Sequence, residues 1–592
     1  MTDRTGQPGP EAVVGEPDDD DVTAPIERPG WGAVTVHTPR FSVVTTVFDP
    51  EPEHLLACIA SVDAQAADPA VAASGIEHVL VDDRSTRPEV AAVLRGAAST
   101  SHPVTRAVIR RDHNGGIVAA SNDALAAATG DFVVLLDHDD VLADGALASV
   151  AAVLDADDSI DVVYSDHDLM RPDGRCAWPM YKPDFSLERL RHHNYITHLV
   201  VARRSLVDEV GGFTPGTDGA QDHDLLLRLA EVAAPFHHVP EILLHWRQAP
   251  NSSALDSRNK PAAISAEVRA VAAHLERCGI DAEVTETGRP GVVRTRRRIV
   301  GRPLVSVVIP TRGSRGRVWG AERIFVHDAV SSIVGREPDV DLEFVVVLDA
   351  GSEPVVERGL RRIAGDALRI VHYDRPFNFS DKINEGVSAA AGEYVLLLND
   401  DTEMIEPGSI AEMVGLAQQP DVGMVGSKLL FDDGTLQHGG HLYHGTITHS
   451  LLGWASTHPG PYNMANVVRE CVGATAAGSL MRRDVFLRVG GMNTDFPANY
   501  NDVDLSMTVR HAGYRILWTP EASWYHFESR SFSHPIDPAE TALIEQRWGR
   551  ELYVDPYSNP NLTPGRNDWL ELPGRSGAPP YEDLPDGRRS WG

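Results

Sequence analysis

One segment is written twice in this chain, and its repetition constrains the fold more than any other feature. Gly130-Asp-Phe-Val-Val-Leu-Leu-Asp137-His138-Asp139-Asp140 returns as Gly392-Glu-Tyr-Val-Leu-Leu-Leu-Asn399-Asp400-Asp401-Thr402. Gly130 and Gly392, Asn122 and Asn384, and Asp139 and Asp401 are each 262 residues apart. A period of that length means a duplicated domain, not a short-repeat solenoid. Each copy reads as a short buried strand ending in carboxylates. Grouped carboxylates repel and must be desolvated together, so they call for a positive partner. A hard divalent cation is the natural one, and phosphate-bearing ligands bind at the ends of parallel strands.

At 592 residues the chain exceeds one ordinary domain, and its 42% hydrophobic and 23% charged residues are a globular composition. A net charge of −32 argues against nucleic acid as a partner. The one basic run, Arg294-Thr-Arg-Arg-Arg298, reads as a solvated linker. Cys58, Cys176, Cys278 and Cys471 are far apart, which supports neither a disulfide framework nor a thiolate zinc site and fits a reducing compartment. There is no signal-peptide pattern and no apolar stretch long enough to span a membrane. The expectation is a cytoplasmic protein, with peripheral contact at the inner face of the plasma membrane left open.

Residues 1–38, rich in Pro, Gly and acids, read as a disordered arm. Strands are expected at Phe41–Phe48, Ile76–Val81, Val104–Arg110, Phe132–Leu136 and Asp161–Tyr164, with helices such as Glu53–Ala66 and Ile117–Ala128 between them. The pattern restarts at Leu304–Ile309 and runs through Leu342–Leu348, Leu368–Val371, Tyr394–Leu398 and Val422–Val425. Continuous apolar strands alternating with helices indicate an α/β fold with a mostly parallel sheet covered on both faces. The expected domains are 39–255 and 303–535, joined by a helical linker at 256–302 and followed by an extension at 536–592.

Four elements recur in both copies. The second strand ends in Asp82-Asp83-Arg-Ser85 in one and Asp349-Ala350-Gly-Ser352 in the other, where an acid can accept a hydrogen bond from a nucleotide or cap the next helix. The repeated strand ends in Asp137-His-Asp139 and Asn399-Asp400-Asp401. On an extended backbone an Asp-x-Asp pair faces one side, fit to hold Mg²⁺ or Mn²⁺. Later come Gly211-Gly212 with Gln221-Asp222-His-Asp224, and Gly490-Gly491 with Asn501-Asp502-Val-Asp504. An Asp opening a helix there is either an N-cap or a general base facing the metal site. His245 follows 23 residues after Asp222 and His526 follows 24 after Asp502, as candidate further metal ligands. His438, His441, His444 and His449 lie in a loop-like stretch, as acceptor-region or surface histidines.

In this order the elements resemble the family 2 glycosyltransferases with the GT-A nucleotide-diphospho-sugar fold. Val43–Phe48, Asp82-Asp83, Asn114-Gly-Gly116, Asp137-His-Asp139-Asp140, Asp222 and His245-Trp246-Arg247 carry the resemblance in copy one. Val307–Thr311, Asp349, Asn378–Asn384, Asn399-Asp400-Asp401, Asp502 and His526 carry it in copy two. Asp555-Pro-Tyr-Ser-Asn-Pro-Asn561 is similar to a tail of bacterial members that build surface polysaccharides. The resemblance implies inverting transfer of a sugar from a nucleoside-diphosphate donor to a glycan or lipid-linked acceptor, with a divalent cofactor, Mn²⁺ or Mg²⁺. It assigns nucleotide contacts to Asp82, Asp83 and Asp349, metal contacts to Asp137, Asp139, His245, Asp401 and His526, and base roles to Asp222 and Asp502. Asp224, Asp504, Asp400, Asn122 and Asn384 are secondary candidates. The chain departs from the family pattern at Thr46, Asp49, Ala350 and Asn399. Two alternatives to a bifunctional transferase stay open. One is a single catalytic domain with a degenerate acceptor-binding domain. The other is a sugar-nucleotide nucleotidyltransferase, supported only by the basic, glycine-containing Arg312–Arg317.

Overall fold

The computed structural model describes residues 39–99, 104–248, 261–289, 291–527 and 536–573. The expected N-terminal arm, residues 1–38, lies outside them. The first domain carries β1 (Phe41–Val47), β2 (Ile76–Asp82), β3 (Thr105–Arg110), β4 (Phe132–Leu135), β5 (Val141–Leu142), β6 (Val162–Met170), β7 (Cys176–Met180), β8 (Val200–Arg203) and β9 (His237–Arg247). A hairpin follows, β10 (Ala282–Glu286) and β11 (Val293–Arg297). The second domain carries β12 (Leu304–Thr311), β13 (Arg315–Val318), β14 (Ala321–Ile324), β15 (Asp341–Asp349), β16 (Leu368–Tyr373), β17 (Tyr394–Leu398), β18 (Thr402–Met404) and β19 (Val422–Leu430). It continues with β20 (Leu436–His438), β21 (His441–Leu442), β22 (Thr448–His449), β23 (Arg469–Glu470), β24 (Gly478–Arg482) and β25 (Arg515–His526).

Among the described residues the first sheet runs β3-β2-β1-β4-β8-β6-β9-β5 and the second β16-β15-β12-β17-β24-β19-β25-β18. Strand for strand these are the same sheet, so the duplication seen in sequence is a duplication of topology. The parallel half expected from the apolar runs, β3-β2-β1-β4, is continued by β8, antiparallel to both β4 and β6. Neighbouring residues on a strand point to opposite faces. Val43 accordingly packs in the core on one face of β1 and Val44 in the core on the other. Helices therefore cover both sides, as the unbroken apolar strands require. The stretch 312–325, which follows β12, holds the β13–β14 hairpin.

The glycine that opens each repeated motif has a steric reason. The N–H of Gly130 donates to Ser42 Oγ (2.8 Å), whose hydroxyl donates to Glu77 (2.6 Å). A Cβ on Gly130 would lie 2.8 Å from both the backbone nitrogen and Oγ of Ser42. Gly392, Ser306 and Glu343 repeat the arrangement, and a Cβ there would meet Ser306 Oγ at 2.5 Å.

The segment between the domains is more structured than a linker. The helix Pro261–Arg277 and β11 add Val271, Leu275 and Val293 to a core of domain 1. The basic run is solvated only in part: Arg296 and Arg298 are exposed, but Arg297 is buried and donates to the fully buried Glu188 (2.5 Å). Arg191 also donates to Glu188 (3.1 Å). The next residue surface belongs to domain 2. Glu470 accepts from Ser186 Oγ, from the N–H of Glu188 (3.1 Å) and from Arg515 (2.6 Å). The C-terminal segment spans the same two domains. Asp555 accepts from the N–H of Tyr443 (3.0 Å), while Asn559 donates to Asp166 (2.8 Å) and Asn561 to the carbonyl of Pro240 (2.8 Å).

Burial alone would raise the Glu188 pKa, but Arg297 and Arg191 hold it well below the ordinary range. Removing this carboxylate strands two buried cations. Glu188→Ala should therefore cost about 3–5 kcal/mol in urea unfolding. The folded-state pKa is depressed, so the wild-type advantage should be present above the ordinary Glu value of about 4.3 and fade as the pH falls through and below it. Equal stability of the two proteins at pH 7 would contradict the role given to this ion cluster.

Candidate functional site

In domain 1 the carboxylates sit on a turn, not on an extended strand. β4 ends at Leu135, and the N–H of Asp140 donates to the carbonyl of Asp137 (3.2 Å). The turn brings residues i and i+3 together, so Asp137 pairs with Asp140 where alternation on a strand predicts Asp137 with Asp139. Asp137, Asp140 and His198 place one ligand atom each within 4.8 Å of the others. His198 Nε2 is 3.8 Å from Asp137 Oδ2. Asp140 is fully buried. Its Oδ1 accepts from the N–H of Arg247 (2.9 Å), whereas its Oδ2 is buried without a hydrogen-bond partner. Asp139 is half-buried and its carbonyl accepts from Arg247 Nε (2.7 Å). Burial first, and then the neighbouring carboxylates, push Asp139 and Asp140 above the ordinary range.

In domain 2 the same turn carries Asn399, Asp400, Asp401 and Thr402. Asp401 is buried, with Oδ1 3.3 Å from His526 Nε2. His526 Nδ1 donates to Gln437 Oε1 (2.6 Å), which leaves Nε2 to accept on the Asp401 side, where Asn399 Nδ2 reaches it at 3.1 Å. The buried Oδ1 of Asn399 has no hydrogen-bond partner. Asp400 accepts from Thr311 Oγ1 (2.5 Å) and is pushed up to about 7, first by burial and then by Asp401. Each domain thus has unpartnered buried oxygen beside carboxylates and an imidazole, a donor set that suits a divalent cation.

Strand register explains which histidines take part. β5–β9 pairs Val141 with His245, and β18–β25 pairs Glu403 with Tyr525. Val141 and Glu403 are 262 residues apart, so Tyr525 is the counterpart of His245, and Trp246 is the counterpart of His526. A shift of one residue moves a side chain to the other face of a strand. His245 consequently turns to Asp168 (2.6 Å) and Cys176 (3.3 Å), away from the Asp137–Asp140 group, while His526 faces Asp401. Domain 1 supplies its imidazole from elsewhere. β4–β8 pairs Val134 with Val201 and β17–β24 pairs Leu396 with Leu480, so His198 stands where domain 2 has Ala477. His198 packs edge-on against Trp246, with ring centroids 5.5 Å apart.

The expected bases open matching helices. Asp222 is in the first turn of Gln221–Val232, and its pKa is pushed up to about 6 by burial, with His198 and Asp137 near enough to act on it. Asp502 is in the first turn of Asn501–His511. A cleft of about 430 Å³ in domain 2 is lined by Asp349, Lys382, Asp401, His526 and Asp502 together. The nearly buried Lys382 pairs with Asp349, and its ammonium lies over Tyr373 and Phe377. Asp82 accepts from the N–H of Ser85 (2.8 Å) and pairs with Arg110 (3.1 Å). Asp83 accepts from the N–H groups of Gly115 and Gly116 (both 2.9 Å) and from Arg111 (2.6 Å), so it shapes the Asn114-Gly-Gly loop.

The secondary candidates, Asp400 apart, hold structure. Asn122 bonds both backbone groups of Phe213 (2.9 and 2.8 Å), and Asn384 does the same at Met492 (2.8 and 2.9 Å). Gly212 and Gly491 have φ of 65° and 73°, and a Cβ on either would strike the asparagine Oδ1 at 2.7 and 2.6 Å. Asp224 pairs with Arg228 (2.7 Å), and Asp504 accepts from Trp548 (2.8 Å) and Arg547 (2.6 Å). The sequence reading missed Asp140, His198 and Lys382 as site residues. Asp140 and Lys382 lay inside the motifs already marked, but His198 carried no repeat signal because its counterpart is alanine.

Residues 42–211 match the family described as glycosyl transferase family 2, and residues 302–550 match the one described as glycosyltransferase like family 2. An uncharacterized protein of Sinorhizobium fredii is 37% identical over 90% of this chain and 58% of its own length. The O-antigen biosynthesis protein RfbC of Myxococcus xanthus is 33% identical over 89% of this chain and 40% of its own. The chain thus spans about half the length of these two relatives. Among solved structures, S. aureus TarS 1–349 in complex with UDP-GlcNAc aligns with 20% identity over 40% of this chain and 66% of its own, at a TM-score of 0.32. The mannosyltransferase PcManGT of Pyrobaculum calidifontis, in complex with GDP-Man and Mn²⁺, aligns with 20% identity over 42% and 68%, at 0.31.

The strand register makes metal ligation testable. Counting bound Mn²⁺ by electron paramagnetic resonance should find two carboxylate sites per chain. His198→Ala should weaken one and His526→Ala the other by about 10–100-fold or more. His245→Ala should keep both, and loss of a site in that variant would contradict the assignment.

Proposed function

The chain belongs to the family 2 glycosyltransferases and carries two of their domains in tandem, and from that premise we propose that each domain transfers a sugar from a nucleoside-diphosphate donor with inversion. The acceptor we propose is a hydroxyl of a bacterial surface polysaccharide or its lipid-linked precursor, handled on the cytoplasmic side. The name of the Myxococcus relative supports that acceptor class. No helix among the described residues is long and apolar enough to cross a membrane.

The observation that carries the reading is the domain 2 cleft, which is lined at once by Asp349 and Lys382, by Asp401 and His526, and by Asp502. Asp349 ends an inner parallel strand, where a nucleotide's ribose or base is received. Lys382 gives the same end of the cleft a positive charge for phosphate. Asp401 and His526, with Asn399, would hold a divalent ion, as Asp137, Asp140 and His198 would in domain 1. Such an ion, when bound, neutralises charge on the diphosphate. Asp502 and Asp222 accept the acceptor's hydroxyl proton as its oxygen bonds to the anomeric carbon. The bond from that carbon to the diphosphate breaks, and the electron pair leaves with the nucleotide. A base on a helix separate from the carboxylate turn suits attack from the face opposite the leaving group.

Domain 2 has Asn399 and Thr402 where domain 1 has Asp137 and Asp140, which favours, as a second reading, a domain 2 that binds acceptor only. Product analysis with acceptor oligosaccharides separates the two. Asp222→Asn and Asp502→Asn should each slow a different transfer by about 10²–10⁴-fold. If Asp502→Asn leaves every product unchanged, domain 2 is not a transferase of the proposed kind, and the same outcome for Asp222→Asn removes domain 1.

A further inference from the structure

Three imidazoles meet behind the domain 2 cleft, one of them, His449, lining it, and the transfer reading uses none of them. His438 ends β20, His441 opens β21 and His449 ends β22, and the β21–β22 hairpin pairs His441 directly with His449. One ligand atom from each ring lies within 4.8 Å of the other two. His438 Nδ1 and His449 Nδ1 are hydrogen-bonded to each other (2.6 Å), through a proton that a shared ion would displace. His441 Nδ1 is hydrogen-bonded to Tyr443 Oη (2.9 Å), and its Nε2 is 3.8 Å from Asp502 Oδ2. Holding one imidazole nitrogen in this way orients the other for a metal. His438 and His441 are buried while His449 lines the cleft, which gives an ion a path in.

The chemistry of the group selects its ligand. Rings this close, two of them buried, cannot all carry a positive charge, because like charges repel and must be desolvated together. Neutral imidazole is the form that binds metal. Oxygen donors suit Mg²⁺ and Mn²⁺, whereas a nitrogen set suits Zn²⁺ and its neighbours. Three protein ligands with a fourth position open is the layout of zinc sites that also take a ligand from solution. Among the described residues domain 1 has no such group of three imidazoles. β19–β20 pairs Leu429 with His438 and β6–β7 pairs His167 with Met180, so Met180 holds the corresponding place. The cluster therefore distinguishes the two sites and is no part of their shared design.

We propose that His438, His441 and His449 bind one divalent ion of the zinc class, separate from the carboxylate site at Asp401. The open position faces the cleft beside Asp502, where water or an acceptor hydroxyl fits as the oxygen ligand. The proposal stands whether or not domain 2 transfers sugar.

The test uses the full chain, stripped with chelator, then titrated with Co²⁺ in the presence of excess Mg²⁺ to fill the carboxylate sites. One Co²⁺ per chain should bind with the intense visible bands of a nitrogen-rich, four- or five-coordinate ion. His449→Gln and His441→Gln should each weaken this binding by about 100-fold or more. His444→Ala, whose ring instead meets the carbonyl of Leu562, and Asp401→Asn should leave it unchanged. His449 lies at the cleft surface, and matching circular dichroism will show that its variant folds. Wild-type Co²⁺ binding by both glutamine variants would overturn the proposal, as would the weak bands of an octahedral all-oxygen site.

Discussion

Like charges at the end of a buried strand cannot be left uncompensated, and the rest of this structure is arranged around that constraint. Asp140 is fully buried beside Asp137, and Asp401 is buried beside Asp400. The protein offers these groups little of its own, chiefly the backbone N–H of Arg247, Thr311 Oγ1 and an imidazole in each domain. The unpartnered buried oxygens of Asp140 and Asn399 beside them make a donor set that suits an outside cation. The proposed bases Asp222 and Asp502 stand on separate helices, and in domain 2 the proposed nucleotide end of the cleft is built from β15.

The two domains keep the sheet and vary the ligands. Domain 2 loses the Asp140 carboxylate to Thr402 and the His198 imidazole to Ala477, yet recovers an imidazole by placing His526 where domain 1 has Trp246. A strand offers a position at each site, and either neighbouring strand can fill it. The domains also share one buried ionic clasp through Glu188 and Glu470, and the C-terminal segment bonds to both. That segment also braces the Asp502 helix, since Trp548 donates to Asp504 on it and Glu540 accepts from the backbone just before it.

The sheet was legible in sequence because apolar strands and glycine stops are local signals. The repeated strand is found at Tyr394–Leu398 as expected, and β1, β2 and β4 lie within a residue of their expected ends. The site was only partly legible. Alternation assumes an extended backbone, and the chain turns after Leu135, so Asp140 and not Asp139 joins Asp137. The spacings from Asp222 to His245 and from Asp502 to His526, 23 and 24 residues, differ by one, and one residue on a strand is a change of face. Arg297 in the basic run looked solvated because its partner, Glu188, is distant in sequence. His438, His441 and His449 carried no periodic signal, and only the fold of β20 to β22 brings them together.

The claim at the centre of this account is that each domain holds its own cation at its carboxylate turn, with the imidazole supplied by a different strand. Anomalous scattering from crystals of the full chain grown with Mn²⁺ and a nucleoside diphosphate tests it most directly. The account predicts manganese at two turns, one beside Asp140 and His198 and the other beside Asp401 and His526. Manganese at one turn alone, or held by His245 in place of His198, would contradict it.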